Sequence, residues 1–155
     1  MSIALLSGGT GGAKLARGLY ELLGSELAVI ANTGDDLEIY GAHVSPDPDL
    51  ISFWLTDRID ERGWGIDGDS FNAMAMLGEL GREVWFALGD RDLALCLERR
   101  HLIEGGVTPS EAHQRIARAL GVRAAVVPAA DGPVRTRIVM SSHRSMNWNS
   151  VCNSW

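Results

Sequence analysis

The stretch LLSGGTGGAKLARGL (residues 5–19) runs from an apolar segment through four glycines into a segment with apolar residues at helical spacing. Glycines lack a Cβ atom, so the backbone N–H groups of such a turn can approach a ligand closely. The positive end of the following helix points at the same place and favours an anion. The stretch therefore predicts a strand, a turn and a helix, with the turn contacting a phosphate or nucleotide. The alternative is that the glycines serve only the tight packing of strand against helix.

The rest of the chain alternates between short apolar runs and helical patterns, and this alternation is typical of a parallel sheet with helices on both faces. Predicted strands cover residues 2–7, 27–31, 83–88, 122–127 and 134–140. Predicted helices cover residues 12–24, 50–60, 69–80, 91–104 and 108–121, the last with a Thr cap and a terminal Gly. The predicted fold is Rossmann-like α/β, in which ligands bind beyond the carboxyl ends of the strands. The glycine turn and the loops at 32–49 and 89–92 would then meet at one edge.

Composition and charge exclude several classes of protein. The chain has 155 residues, enough for one domain, and a net charge of −6 without a basic stripe, so nucleic acid is not an expected partner. No apolar run reaches the length of about 18 residues needed to span a membrane. No signal peptide is recognised, and a cytoplasmic location is expected. The two cysteines, Cys96 and Cys152, form no CxxC motif, so neither a disulfide framework nor a zinc site is expected.

A long acidic loop follows the second predicted strand. Its sequence, NTGDDLEIYGAHVSPDPD (residues 32–49), carries Asp35, Asp36, Asp47 and Asp49 between turn-forming residues. Gathered carboxylates repel one another unless a positive group lies among them, and hard oxygen ligands suit Mg²⁺ or Ca²⁺. The loop therefore predicts a metal and phosphate region. The alternative is that these side chains only shape turns through local hydrogen bonds.

Two further segments carry candidate binding residues. In FALGDRDLA (residues 86–94), Arg91 could hold an anion through two parallel hydrogen bonds, while Asp90 or Asp92 is expected to cap the following helix. In GWGIDGDSFNAM (residues 63–74), Asp69 is a predicted N-cap. Trp64 could stack on a flat ring or simply pack in the core.

In this order, the motifs resemble those of one family, the 2-phospho-L-lactate transferases of coenzyme F-420 biosynthesis. The matching stretches are SGGTGGAKLARGL, NTGDDLEIYG, VSPDPD, GWGI, GDSFNAM, WFALGDRDLA and DGPVRTR. The resemblance implies an Mg²⁺-dependent enzyme that joins a phospho-lactyl or phospho-enolpyruvyl group to the deazaflavin precursor Fo. The donor would be a guanosine diphosphate derivative, and guanosine monophosphate (GMP) would leave. The implied partners are these small molecules.

The resemblance also implies roles for individual residues. Asp49 and Arg91 match positions that contact Fo, and the glycine turn and acidic loop match the phosphate and metal region. Phosphate or nucleotide contact is assigned to Gly8, Gly9, Thr10, Gly11, Gly12, Lys14 and Asn32. Asp36 and Asp47 are the predicted metal ligands. As a hypothesis, Asp36 and Asp49 are catalytic: Asp36 holds the metal and Asp49 orients the attacking hydroxyl.

The chain departs from the family in two ways. Gly132 follows Asp131 where the family carries a second acidic residue, and the family is about twice as long. The last residues, MSSHRSMNWNSVCNSW (140–155), differ abruptly in composition from the rest. We therefore interpret residues 1–140 as the N-terminal part of the transferase domain. Residues 141–155 are interpreted as an aberrant, frameshifted or disordered tail, with a genuine divergent tail as the alternative.

A truncated sheet of this kind predicts poor solubility or a homodimer, together with weak or absent catalysis. The rival function is a non-catalytic regulator of the same fold superfamily that binds a nucleotide or sugar nucleotide. A nicotinamide dehydrogenase is disfavoured, because Lys14 stands where the last glycine of G-x-G-x-x-G belongs. Asn32 also stands where that class has an acidic residue.

Overall fold

The computed structural model describes residues 2–139 and 145–147 of the chain. The strands are β1 (Ile3–Ser7), β2 (Leu27–Ala31), β3 (Leu37–Ile39), β4 (Ala42–Val44), β5 (Ala125–Pro128), β6 (Arg137–Val139) and β7 (Ser145–Asn147). The helices are α1 (Gly9–Leu23), α2 (Pro46–Leu55), α3 (Asn72–Glu79), α4 (Asp90–Glu104) and α5 (Pro109–Leu120). No helix within the described ranges is long and apolar enough to cross a membrane.

The central sheet is parallel, with strand order β1-β2-β5. Val29 of β2 lies opposite Leu5 of β1 and Val126 of β5, so apolar side chains align across the three strands. Helices connect and pack around these strands, as parallel pairing requires. This arrangement confirms the predicted Rossmann-like α/β fold.

One apolar core joins the sheet to α1, α2 and α5. Alternate residues of β2, Leu27, Val29 and Ala31, are buried in it. Ala13 and Ala16 of α1 are fully buried there too, and their small side chains let α1 approach its neighbours closely. This core fixes the carboxyl ends of the central strands, the glycine turn and the start of α2 relative to one another.

A second apolar core lies between the β3–β4 hairpin and α4. Its buried members are Leu37, Ala42, Val44, Met74, Leu88 and Cys96. The two strands of the hairpin are only three residues long and are antiparallel. They interrupt the acidic loop, which the sequence predicted to have no regular structure.

The predicted strand at residues 83–88 is wrong, because these residues form no strand. Leu88 is buried in the second core, and the N–H of Phe86 donates to the hydroxyl of Tyr40 at 3.3 Å. The run is apolar because it packs on the hairpin, and its burial does not depend on a sheet partner.

Three helices differ from their predicted bounds by several residues. α1 begins at Gly9 rather than residue 12. α2 covers Pro46–Leu55 rather than residues 50–60, and its early start is explained by Pro46, because proline fits the first turn of a helix. α3 begins at Asn72, and Asp69 does not cap it. At α5 the predicted ends are confirmed: Thr108 Oγ1 accepts from the N–H of Glu111, and Gly121 adopts φ of 99°.

The predicted aberrant tail, residues 141–155, lies outside the described residues apart from β7. β7 pairs antiparallel with β6, which occupies part of the strand predicted at 134–140. Just before β6, the N–H and hydroxyl of Thr136 donate to the carbonyl of Gly34 at 3.1 and 2.8 Å. The PVRTR segment is therefore tied to the acidic loop.

Candidate active site

A cleft of about 640 Å³ opens at the carboxyl end of the central sheet. The glycine turn reaches it through Gly9, and the acidic loop with the start of α2 contributes Asp35, Asp47 and Asp49. The segment before α4 contributes Gly89, even though residues 83–88 form no strand. The three loops predicted to meet at one edge therefore line a single cleft.

Asp47 joins three elements at the rim of this cleft. Its Oδ1 accepts from the N–H of Gly9 at 2.7 Å, and its Oδ2 accepts from Nδ2 of Asn32 at 2.8 Å. The carboxylate is buried and sits at the N-terminus of α1, where its negative charge complements the helix dipole. Asp47, a predicted metal ligand, thus occupies the first N–H of α1, within the turn predicted to bind phosphate.

The glycines of the turn differ in what they do. Gly9 has φ of +63°, a conformation that favours glycine. A Cβ on Gly12 would lie 2.3 Å from Oγ of Ser7, so Gly12 is needed for packing against β1. A Cβ on Gly11 would meet nothing within 4 Å. Packing therefore explains why position 12 is a glycine, whereas nothing steric requires a glycine at position 11.

Lys14 is not brought to the cleft. Its Nζ lies 5.6 Å from the centroid of the Trp54 ring, on the exposed side of α1. Thr10 occupies the second position of α1 and is partly buried. Asn32 uses both ends of its amide: Oδ1 accepts from the N–H of Gly34 at 3.0 Å, while Nδ2 binds Asp47.

Asp36, the other predicted metal ligand, is held by residues of its own loop. Its Oδ1 accepts from Oγ of Ser45 at 2.9 Å, and its Oδ2 lies 3.6 Å from Nε2 of His43. Next to it, burial raises the pKa of Asp35, and the charges of Asp47 and Asp36 raise it further. The loop therefore gathers negative charge at the cleft.

Asp49 lies at the floor of the cleft and is buried. Its Oδ1 accepts from Nη2 of Arg99 and lies 3.7 Å from Nδ1 of His113. Its Oδ2 is buried and has no hydrogen-bond partner among the described residues. Burial raises the pKa of Asp49, and the neighbouring guanidinium opposes that rise. One carboxylate oxygen is thus held by the protein and the other is not.

Sequence reasoning missed Arg99 and His113. Arg99 is 1% exposed, and His113 is fully buried with its Nε2 3.1 Å from Oγ of Ser52. Burial, followed by the charge of Arg99, lowers the pKa of His113 to about 3, so its ring is neutral. A signal was available, because Asp92, Cys96 and Arg99 follow the i, i+4, i+7 spacing of one helix face.

Asp92 approaches Asp49 from α4. One ligand atom from each of Asp49, Asp92 and Cys96 lies within 4.8 Å of the others, an arrangement that could hold a metal ion. Burial, followed by the charge of Asp49, raises the pKa of Asp92 to about 7. Burial also raises the pKa of the Cys96 thiol well above its ordinary range, so the sulfur remains protonated. Of the three, only the carboxylates offer the oxygen donors that Mg²⁺ prefers.

Next to the cleft, an aspartate before α3 caps α4, and the first residue of α4 caps α3. Asp69 accepts from the N–H groups of Arg91 and Asp92, at the start of α4. Asp90 accepts from the N–H groups of Asn72 and Ala73, at the start of α3. The expectation that Asp90 or Asp92 caps α4 is therefore wrong.

Gly89 makes this exchange sterically feasible. A Cβ there would lie 2.1 Å from Oδ2 of Asp69, which reaches over Gly89 to cap α4. Arg91, the predicted Fo contact, is exposed, and its Nη1 donates to the carbonyl of Asp67 at 3.2 Å. Its guanidinium thus lies beside the exchanged caps.

Apolar and aromatic side chains line the same cleft as the carboxylates. Trp64 is 69% exposed and Phe71 is 40% exposed, and both line the cleft together with the partly buried Phe86. An exposed tryptophan on a cleft wall offers a flat surface to a ring. Trp64 therefore does not serve the core packing that was the alternative.

Comparison with known proteins gives the family. The model of the family "2-phospho-L-lactate transferase CofD" matches residues 3–152. The chain is 42% identical over 136 residues to a 2-phospho-L-lactate transferase of Methanosarcina acetivorans, covering 86% of this chain and 44% of that protein. It is 36% identical over 142 residues to a phosphoenolpyruvate transferase of Kitasatospora aureofaciens, covering 89% of this chain and 44% of that protein.

A 2-phospho-L-lactate transferase of Methanocaldococcus jannaschii is 39% identical over 139 residues, covering 88% of this chain and 45% of that protein. The chain thus spans about half the length of the curated relatives it matches. The family match extends over nearly all of the chain. The chain belongs to the 2-phospho-L-lactate transferase CofD family.

Proposed function

We propose that the protein transfers a phospho-lactyl or phospho-enolpyruvyl group from a guanosine diphosphate donor to a ribityl hydroxyl of Fo. GMP leaves and Mg²⁺ is required. The observation that carries this proposal is the free oxygen of Asp49, which is buried at the floor of a cleft with an aromatic wall. The names of the relatives support a transferase of this class.

The cleft suits the acceptor on two grounds. Its aromatic wall, with Trp64 and Phe71, can stack against a flat deazaflavin ring. Asp49 lines its floor, and the unpaired Oδ2 of this carboxylate can accept a hydrogen bond from a hydroxyl and so fix the direction in which that hydroxyl attacks. Orientation of this kind is a large part of what a protein contributes to phosphoryl transfer. Arg91 is proposed as a further Fo contact.

The donor phosphates are proposed to lie at the glycine turn. Backbone groups of Gly8, Gly11 and Gly12 are the proposed contacts there, with Thr10 and Asn32 beside them, whereas the N–H of Gly9 is already bound to Asp47. The open space at Gly11 supports close approach of a ligand. Lys14 stays a prediction from the resemblance alone, because it lies over Trp54.

Mg²⁺ fits the acidic loop better than the floor of the cleft. At the floor, Arg99 already pairs with Asp49, and its positive charge opposes a divalent cation. The loop gathers Asp35, Asp36 and Asp47, and the pKa of Asp35 is raised by burial and then by the charges of Asp47 and Asp36. We therefore retain Asp36 and Asp47 as the proposed metal ligands. The ion, when bound, would neutralise charge on the transferred phosphoryl group.

The experiment is an assay of GMP release by the full chain with donor, Fo and Mg²⁺. We expect weak but Fo-dependent release in the wild type, in line with the reduced catalysis predicted from the sequence, and a further loss of at least about a hundredfold in Asp49→Asn, within the range of a lost catalytic hydrogen-bonding group. Asp57→Asn is the matched control, because Asp57 is exposed and pairs with Arg17 away from the cleft. Equal rates in the wild type and Asp49→Asn would refute the role of Asp49.

A second arm separates the two metal sites. Asp47→Asn should raise the Mg²⁺ concentration needed for half-maximal rate, while Asp92→Asn should leave it unchanged. The reverse result would place the ion at the floor beside Asp49. Binding of a sugar nucleotide without binding of Fo would instead support the non-catalytic regulator.

A further inference from the structure

Arg99 is held at two points beneath the cleft. Its Nη1 donates to the carbonyl of His43 at 2.9 Å, at the β3–β4 hairpin, and its Nη2 donates to Asp49 Oδ1 on α2. The side chain is 1% exposed, so neither contact competes with water. The guanidinium plane is therefore fixed between two elements that both line the cleft.

Asp49 is held asymmetrically as a result. Oδ1 accepts from Nη2 of Arg99 and lies 3.7 Å from Nδ1 of His113. Ser52 fixes the His113 ring through its Nε2. Oδ2 has no partner in the described part of the chain, although it is buried. Leaving a buried carboxylate oxygen unpaired is costly, and such an atom on a residue that lines the floor of a cleft points to a ligand.

We propose that Arg99 is a positioning residue. It occupies Oδ1 of Asp49, which leaves Oδ2 as the oxygen available to the acceptor hydroxyl and fixes its direction. The inference rests on the proposed function, in which Asp49 Oδ2 receives that hydroxyl. Without Arg99, the carboxylate would be free to rotate and would present either oxygen.

The planar fork of arginine explains why this residue type stands here. A lysine carries a similar charge on a single nitrogen, so it would not reproduce the planar, two-point contact with His43 and Asp49. Arg99→Lys therefore retains a positive charge beside Asp49 and removes the fixed geometry. Arg100→Lys is the matched control, because Arg100 lies next to it on α4 and pairs with Glu38 and Glu104 on the surface.

The test combines crystallography with calorimetric titration of Fo. In Arg99→Lys we expect the Asp49 carboxylate to rotate from its wild-type position, with Fo bound at least about tenfold more weakly by folded protein. Arg100→Lys should match the wild type in both. A thermal unfolding curve for each variant shows that the titrated protein is folded. If Arg99 only stabilised the fold, the folded Arg99→Lys protein would bind Fo as tightly as the wild type.

The experiment distinguishes failure of the proposed function from failure of the role of Arg99. If the wild type does not bind Fo, the proposed function fails, and the position of Asp49 in Arg99→Lys alone decides the inference. An unmoved Asp49, or an unchanged Fo affinity beside a wild type that binds, overturns the role of Arg99. If Arg99→Lys does not fold, a crystal structure of the wild type with Fo bound decides whether Arg99 positions Asp49. Arg99 must then remain on Oδ1 while Fo contacts Oδ2, and any other arrangement overturns the inference.

Discussion

The two sides of the cleft are built in opposite ways. The side of the glycine turn consists mainly of backbone and neutral polar groups, with Asp47 bound to the N–H of Gly9 and the side-chain amide of Asn32. The side of α4 consists of buried charges from distant segments, with Arg99 joined to Asp49 across 50 residues of sequence. One side depends on local backbone shape, and the other depends on which charges tertiary packing brings together. Substitutions should therefore act through sterics on the first side and through electrostatics on the second.

The largest effect is expected on the α4 side. Arg99→Met leaves the Asp49 carboxylate buried without its cation, and breaking a buried pair in this way costs about 3–5 kcal/mol. The free energy of unfolding from denaturant titration would measure this loss. The double variant Asp49→Asn/Arg99→Met removes both charges and should recover much of it. A double variant no more stable than Arg99→Met would show that the pair does not act as an electrostatic unit.

The second effect is a pH dependence from His113 on the same side. Its pKa is about 3 in the folded protein and 6.5 ordinarily, so the unfolded chain binds the proton first as the pH falls. The stability from the neutral ring is complete above about pH 6.5. It should fall by about 1.4 kcal/mol per pH unit between that value and about pH 3.

Unfolding curves of the wild type and His113→Gln between pH 7 and 5 would isolate this contribution. The stability of the variant should change less with pH than that of the wild type. Parallel pH profiles would mean that His113 is not kept neutral by its surroundings.

The third effect tests the glycine side. Gly12→Ala places a Cβ against Ser7, and overpacking of this kind costs about 1–3 kcal/mol. Gly11→Ala is the matched control, because its Cβ enters open space and alanine is preferred in a helix by about 0.5–1 kcal/mol. The thermal unfolding midpoint should fall in Gly12→Ala and rise in Gly11→Ala. A loss of equal size in both would mean that the whole turn is sterically closed.

The smallest effect concerns Lys14, for which the sequence and the structure give different contacts. Lys14→Met removes a cation above the Trp54 ring, worth about 0.5–1 kcal/mol at an exposed site. We expect the KM for the donor to stay unchanged, which steady-state kinetics would measure. A large rise in that KM would support the phosphate contact predicted from sequence.

Local signals in the sequence were sufficient for most of the central fold. The apolar runs at β1 and β2 and the Thr108 cap of α5 reflect interactions within a few residues, so periodicity and turn chemistry reveal them. Residues 83–88 have the same apolar character but pack on a hairpin without pairing. An apolar run of this length does not show whether the segment is a paired strand or an irregular segment packed on its neighbours.

The candidate site divides along the same line. Gly9, Asp47 and Asn32 were singled out because glycine-rich and acidic segments beside predicted strands are visible in the chain itself. Arg99 and His113 were missed because the sequence does not distinguish a buried ionisable residue from an exposed one. Their importance comes from Asp49, which only the folded structure brings to them.

The most direct measurement is a crystal structure of the chain with Fo bound. We expect the deazaflavin ring against Trp64 and a ribityl hydroxyl within hydrogen-bond distance of Oδ2 of Asp49. Fo bound at another surface, or in the cleft with no hydroxyl near Asp49, would contradict the account.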